Sequence, residues 1–280
     1  MAVRKIDVLK YTVMFLFMFI IGICSASATE YVNYYDITMT NQQYNNLLNL
    51  GFSEEEIYYM DLTTFEENKD IESTLVSQNI KYYKTVHPTY GAEYTVELTE
   101  EQYEAESQIS LLGEIETEYK TMVSTISQNS NTLRYKVSVL WKNMPSVKNY
   151  DIIAIGFIDD VYISSNVNFN YYYCNTSGNC YTSSSYNNKK KLSTGGSAVY
   201  KLPSSLISLS STLYYDVSKD TTGTLTRLTM CGDYSHATKS VSTSYLSDYS
   251  VNSSGIALES HIYGKYDAIP CATSVWTGSW

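Results

Sequence analysis

Three histidines and four prolines are all that this 280-residue chain contains, and the short patterns in which catalytic groups travel are absent. Without a G-x-S-x-G elbow there is no exposed serine set beside a histidine base. Gly195-Gly196-Ser197 carries only half of that pattern, beside Lys189-Lys190-Lys191, and reads as a turn before a strand. No H-E-x-x-H, no D-x-D-x-D-G loop and no Cys-x-x-Cys pair occurs. His87, His236 and His261 are scattered, so neither a metal nor a cofactor is expected. Asp159-Asp160 is a visible carboxylate pair, but neighbours on a strand point to opposite faces, so a turn suits them better than a glycosidase cleft.

Long apolar runs are also missing, with one exception near the start. Arg4, Lys5 and Lys10 precede an uncharged run, Tyr11 to Ile23, and Ala26-Ser27-Ala28 offers the small residues of a signal-peptidase site. Thirteen residues at about 1.5 Å each reach about 20 Å, short of the roughly 30 Å hydrocarbon core. Residues 1–28 are therefore expected to be a cleaved signal peptide, and the mature protein to be secreted and free of the membrane. Ile23 before Cys24 argues against lipidation. The remainder, about 252 residues, carries sixteen basic and twenty-eight acidic groups, a net charge of −12. That field repels phosphate backbones and excludes nucleic acid as a partner.

Past the leader, four cysteines remain: Cys174, Cys180, Cys231 and Cys271. An even count in an exported chain points to disulfides. Cys174 and Cys180 bracket Asn175-Thr176-Ser177-Gly178-Asn179, a run of turn formers, which suits a bridge closing a hairpin. Cys231 with Cys271 is the remaining pair. It competes with a Cys231–His236 nucleophile dyad, which would need a free thiol.

What the chain has in abundance is tyrosine, 29 of them. Tyrosine is a good strand former and a good contact residue, so abundance alone does not mark a surface. Residues 38–69 read as short helices, with Thr40 and Gln43 as a capping box, Gly51 as a stop and Ser53 capping Glu54-Glu55-Glu56. Strands are expected at 81–86 and 93–98, with a turn at His87–Gly91 between them, and a helix from Thr99 to about Gly113. Beyond that the chain is β-rich. Residues 118–127 and 132–141 form a hairpin in which Leu133, Tyr135, Val137, Val139 and Trp141 share one face. Tyr150–Ile158 suits a central strand buried on both sides. Further strands are expected at 161–173, 180–186, 197–202, 209–218, 224–231, 239–246 and 256–263, with Asp220–Gly223 as a hairpin turn. Val275 and Trp276 fit an edge strand. The fold class this implies is α+β: a small N-terminal helical segment followed by an antiparallel, jelly-roll-like β-sandwich. The organisation is 1–28 signal, 29–115 mixed N-terminal region, 116–280 sandwich.

Met39 to Tyr44, Leu50 to Ile57, Trp141 to Pro145 and Asn149 to Ile153 together resemble stretches of uncharacterised exported proteins of low-GC Gram-positive bacteria. The resemblance implies a bacterial secreted protein and no catalytic residue.

For function, Tyr171-Tyr172-Tyr173 beside the Cys174–Cys180 loop is the candidate binding segment. Alternation places Tyr171 and Tyr173 on one face and Tyr172 on the other, with at least one ring expected at the surface. Aromatics on a rigid β-scaffold stack on sugars or anchor proteins. The expectation is a non-enzymatic binding or surface protein for a glycan or an extracellular protein. A secreted hydrolase and a structural extracellular component are the alternatives.

Overall fold

The computed structural model describes residues 30–87, 94–109, 116–158, 160–267 and 269–280. The expected signal peptide, the turn at 88–91, the end of the helix after Ile109 and Asp159 lie outside them.

The chain opens with β1 (Tyr31–Val32) and β2 (Thr38–Met39), a two-stranded ribbon. Three short helices follow: α1 (Asn41–Asn49), α2 (Glu54–Tyr58) and α3 (Leu62–Asn68). Each begins on a side-chain cap: Thr40 with Gln43 and Ser53 with Glu56 as reciprocal boxes, and Asp61 accepting from the Thr64 N–H. Gly51 ends α1 at φ +85°, a conformation that only glycine adopts freely. Helices this short are not stable alone. They fold by burying Leu47, Leu50, Phe52, Ile57, Met60 and Phe65 with Tyr214 of the sheet below.

The remaining elements are β3 (Thr74–His87), β4 (Tyr94–Leu98), α4 (Glu100–Ile109), β5 (Glu116–Gln128), β6 (Leu133–Trp141), β7 (Tyr150–Phe157), β8 (Val161–Ile163), β9 (Asn168–Asn175), β10 (Cys180–Ser183), β11 (Asn188–Leu192), β12 (Gly195–Lys201), β13 (Leu206–Lys219), β14 (Arg227–Ser235), β15 (Tyr249–Asn252), β16 (Gly255–Leu258) and β17 (Ala272–Thr277). All pairings are antiparallel. An eight-stranded sheet runs β10-β9-β13-β6-β5-β3-β4, with β8 also on β13, and a five-stranded sheet runs β11-β12-β7-β14-β17. The larger sheet crosses residue 115, because β3 and β4 join β5.

The main core holds side chains of both sheets: Leu133, Tyr135, Val137, Val139 and Trp141 of β6 meet Ile153, Ile155 and Phe157 of β7. The alternate residues Ile152 and Ala154 enter a second core with Val241, Leu246, Tyr249, Val251 and Ile262. The near-continuous apolar run of β7 is thus explained by burial on both faces. The covering layer on this outer side is the stretch 236–266, mostly irregular apart from β15, β16 and two short 3-10 turns.

Four expectations about local structure are corrected. Residues 239–246 form no strand; they carry a 3-10 turn at Thr243–Tyr245, because their apolar residues anchor a loop onto β7. Asp220–Gly223 is no hairpin turn. It carries the chain from β13 in one sheet to β14 in the other. Gly195-Gly196-Ser197 lies inside β12, where Gly196 lets the Tyr215 ring and Val167 approach the backbone. The strand expected at 256–263 stops at Leu258 as β16, and the lysine run 189–191 lies in the edge strand β11.

Candidate ligand-binding surface

The two cysteine pairs are bridged, Cys174–Cys180 and Cys231–Cys271. Cys174 and Cys180 are direct partners in the β9–β10 register, so the first bridge pins a hairpin. The second leaves Cys231 without a thiolate, and the Cys231–His236 dyad is excluded. His236 instead packs in the interior, Nδ1 2.9 Å from Asp151.

Tyr171, Tyr172 and Tyr173 alternate as strand geometry requires. Tyr171 stacks with Tyr173 and faces Tyr200 of the core, whereas Tyr172 stacks on Tyr59 with ring centroids 4.7 Å apart. The expectation of an exposed ring among them is corrected: Tyr171 and Tyr172 are buried, and Tyr173 is half-buried. The reason is topological. Strand β9 lies between β10 and β13, so it is no edge, and the N-terminal segment covers its second face. Burial, followed by the Glu55 carboxylate beside it, raises the Tyr172 hydroxyl well above its ordinary pKa.

The exposed aromatics come from elsewhere and converge on this hairpin. Tyr34, Tyr35 and Tyr58 lie at the surface around half-buried Tyr59, with ring centroids 4.9–6.1 Å apart between contacting pairs. Tyr181 of β10, 44% exposed, lies against Tyr173 at 5.4 Å. Polar contacts lock the two groups together. The Tyr35 hydroxyl donates to Thr182 Oγ1 (3.1 Å), Thr182 Oγ1 donates to the Tyr59 carbonyl (2.6 Å), and the Cys180 N–H donates to the Tyr34 hydroxyl (3.4 Å). Asn33 fixes the chain entering the patch. Its Nδ2 donates to the Met60 carbonyl at 2.7 Å, and its Oδ1 accepts from the N–H groups of Tyr35 and Ile37, both at 3.0 Å.

Beside the patch opens a cavity of about 440 Å³, lined by Tyr31, Tyr44, Tyr58 and Tyr59 with Glu54 and Glu55 at its rim. Tyr31 and Tyr44 stack at 4.0 Å, 7° from parallel, and form one wall. Burial and then the Glu54 charge raise the Tyr44 hydroxyl; burial raises that of Tyr59, with its neighbours Tyr58 and Glu55 adding to it. The result is a rigid concavity of ring faces with an anionic edge. The sequence offers no alternation or motif that gathers residues 31–59 onto the 171–181 hairpin; only the tertiary fold does.

A second group escaped the sequence reading because its members are separated. Asp248, Glu259 and His261 bring ligand-type atoms within 4.8 Å of one another, and His261 Nε2 is 2.8 Å from Asp248 Oδ2.

No family model matches this chain, and no curated protein does. Among solved structures it is similar to the crystal structure of the collagen binding domain of the Erysipelothrix rhusiopathiae surface protein RspB, at 7% identity and a TM-score of 0.27. That alignment covers 58% of this chain and 66% of the other. A likeness at that score carries no argument about ligand. Among the described residues no helix is long and apolar enough to cross a membrane.

Proposed function

We propose that this is an exported, non-enzymatic binding protein whose contact surface is the tyrosine patch and adjoining cavity at the β9–β10 hairpin. One observation carries the reading: Tyr34, Tyr35, Tyr58 and Tyr181 stay exposed while a disulfide, three cross-segment hydrogen bonds and two buried tyrosines hold them still. Rigid tyrosines offer contact area at little entropic cost, which suits a glycan or an extracellular protein. Tyr171 and Tyr172 act in this reading as the bed of the patch, and Tyr173 reaches its edge. Export is supported by the two disulfides and by the leader-like residues 1–28. The two sheets sharing one core support a sandwich as the scaffold.

Glycan-array and cell-surface capture by the secreted protein test the proposal. Tyr58→Ala is expected to weaken capture by about 2 kcal/mol, roughly thirty-fold, with thermal stability unchanged. Tyr172→Ala is expected to lower the melting temperature instead, because its ring is 5% exposed and carries Tyr59. Unchanged capture by a folded Tyr58→Ala variant removes this surface as the binding site.

A further inference from the structure

Lys120 is a lysine on the wrong face of its strand. In β5 the residues Lys120, Met122 and Ile126 point together into the main core, and Lys120 is fully buried. Its ammonium nitrogen lies 4.6 Å from the Trp141 ring and 5.8 Å from that of Tyr234. It hydrogen-bonds the Asp267 carboxylate. Asp267 is 5% exposed and sits in the segment leading to β17. It is held on both sides: its N–H donates to the His236 carbonyl at 2.9 Å, and its Oδ1 accepts from the His236 N–H at 2.6 Å.

The other buried lysine shows what a settled ion pair looks like. Lys136 Nζ reaches Glu56 (2.8 Å), the Gly51 carbonyl (2.9 Å) and Ser138 Oγ (2.5 Å), and Ser138 and Thr212 donate to the same carboxylate. Lys120 lies instead beside the Trp141 and Tyr234 rings, and Asp267 Oδ1 receives the His236 N–H. Both groups are held out of water and in direct contact with each other.

We propose that Lys120 and Asp267 condense into an intramolecular amide. The ammonium passes one proton to Asp267 Oδ2, leaving a free amine and a carboxylic acid. Nζ then attacks Cγ and the C–N bond forms. Oδ1 takes the developing negative charge under the His236 N–H, which is already placed as a donor. A second proton moves from the nitrogen to Oδ2, the Cγ–Oδ2 bond breaks, and one water leaves. No oxidant, reductant or further reactant is needed. Amines and carboxylates do not condense readily in water because the ions are the stable forms. Here the fold holds the two groups in contact and away from water, at effective concentrations of about 10⁵ M or more for a well-oriented intramolecular pair. The bond would join β5 of one sheet to the segment entering β17 of the other.

Intact mass spectrometry of the secreted protein tests this directly. The expected mass is one water below that of the chain with its two disulfides formed, and proteolysis is expected to release a branched peptide joining Lys120 to Asp267. The full, unreduced-by-water mass overturns the proposal. So does a branch at Lys136 and Glu56 in place of this one. Lys120→Arg keeps the charge but cannot form the bond, and is expected to restore the missing water. A Lys120→Arg protein still one water light would place the loss in a cyclic imide elsewhere and also overturn the proposal. The wild-type measurement does not depend on any variant folding.

Discussion

Two layers clothe the outer faces of the sheets, and they are held on by different means. The N-terminal layer, residues 41–68, is helical, capped at every start, and fastened by the Glu56–Lys136 pair reaching down to β6. The layer at 236–266 has little regular structure and lies within the loop closed by Cys231–Cys271. It is fastened from below by Asp233, which accepts from the Ile256 N–H, and by the contacts of His236 with Asp151 and Asp267. Local propensity builds the first layer, whereas a covalent loop and buried carboxylates build the second. Glu56 is held below its ordinary pKa: burial opposes ionisation, but the Lys136 ammonium and the Ser138 and Thr212 hydroxyls outweigh it. Burial pushes Asp233 the other way, up to about 7, against the Ile256 and Tyr234 backbone N–H donors.

Breaking the covalent loop should have the largest effect. Replacing Cys231 and Cys271 with alanine is expected to cost about 4 kcal/mol, from the closure entropy of a loop this long. Urea denaturation checks the size, and protection of amide hydrogens should fall first in 236–266. Glu56→Ala strands the Lys136 ammonium in the interior and is expected to cost about 3 kcal/mol or more. Limited proteolysis within 41–68 would report that the helical layer has come loose while the rest stays folded. Gly255→Ala tests the Asp233 anchor. At φ +99° a side chain is strained, and its Cβ would strike the Asp233 carboxylate, so about 2 kcal/mol should be lost by thermal melting.

The subtlest test is pH, and there the two layers should part company. Asp233 binds its proton more tightly folded than unfolded, so its stabilising effect is greatest in acid and declines as pH rises from about 4 to 7. His236 acts in the same direction. Burial lowers its affinity for a proton, but the Asp151 charge and hydrogen bond more than reverse that, so the stability it adds is present below pH 6.5 and lost as pH rises through its folded value. Glu56 has the opposite sign: its contribution is present above its ordinary 4.5 and lost as pH falls through its lowered folded value. Hydrogen exchange at mildly acid and neutral pH should therefore show 236–266 better protected in acid. A common response in both layers would mean that the carboxylates do not govern them.

The same contrast explains what could be read from the sequence. Caps act over three or four residues, so Thr40, Ser53 and the α1 stop at Gly51 are visible in the chain itself. Alternation is equally local, and Leu133 to Trp141 lie on one buried face as written. Residues 239–246 mislead because Val241 and Leu246 are apolar for a reason that lies across the fold, in β7. The tyrosine surface was half legible. The 171–173 run and its disulfide loop stand out, but the exposed rings of Tyr34, Tyr35 and Tyr58 lie more than 110 residues upstream and reach the hairpin through tertiary packing. Lys120 and Asp267 look like ordinary surface charges until the pairing register turns Lys120 inward.

The lysine edge has a bearing on how copies of this protein meet one another. Strand β11 forms one margin of the five-stranded sheet, where unpaired backbone groups invite a further strand. Lys190 is partly tied down, donating to the Ser247 carbonyl at 2.7 Å, while Lys189 and Lys191 remain exposed. A second copy docking there strand to strand would bring its own lysines opposite these, and like charges facing each other across a pair are repelled. In an otherwise acidic chain, this short basic margin acts as a bumper against sheet-to-sheet polymerisation.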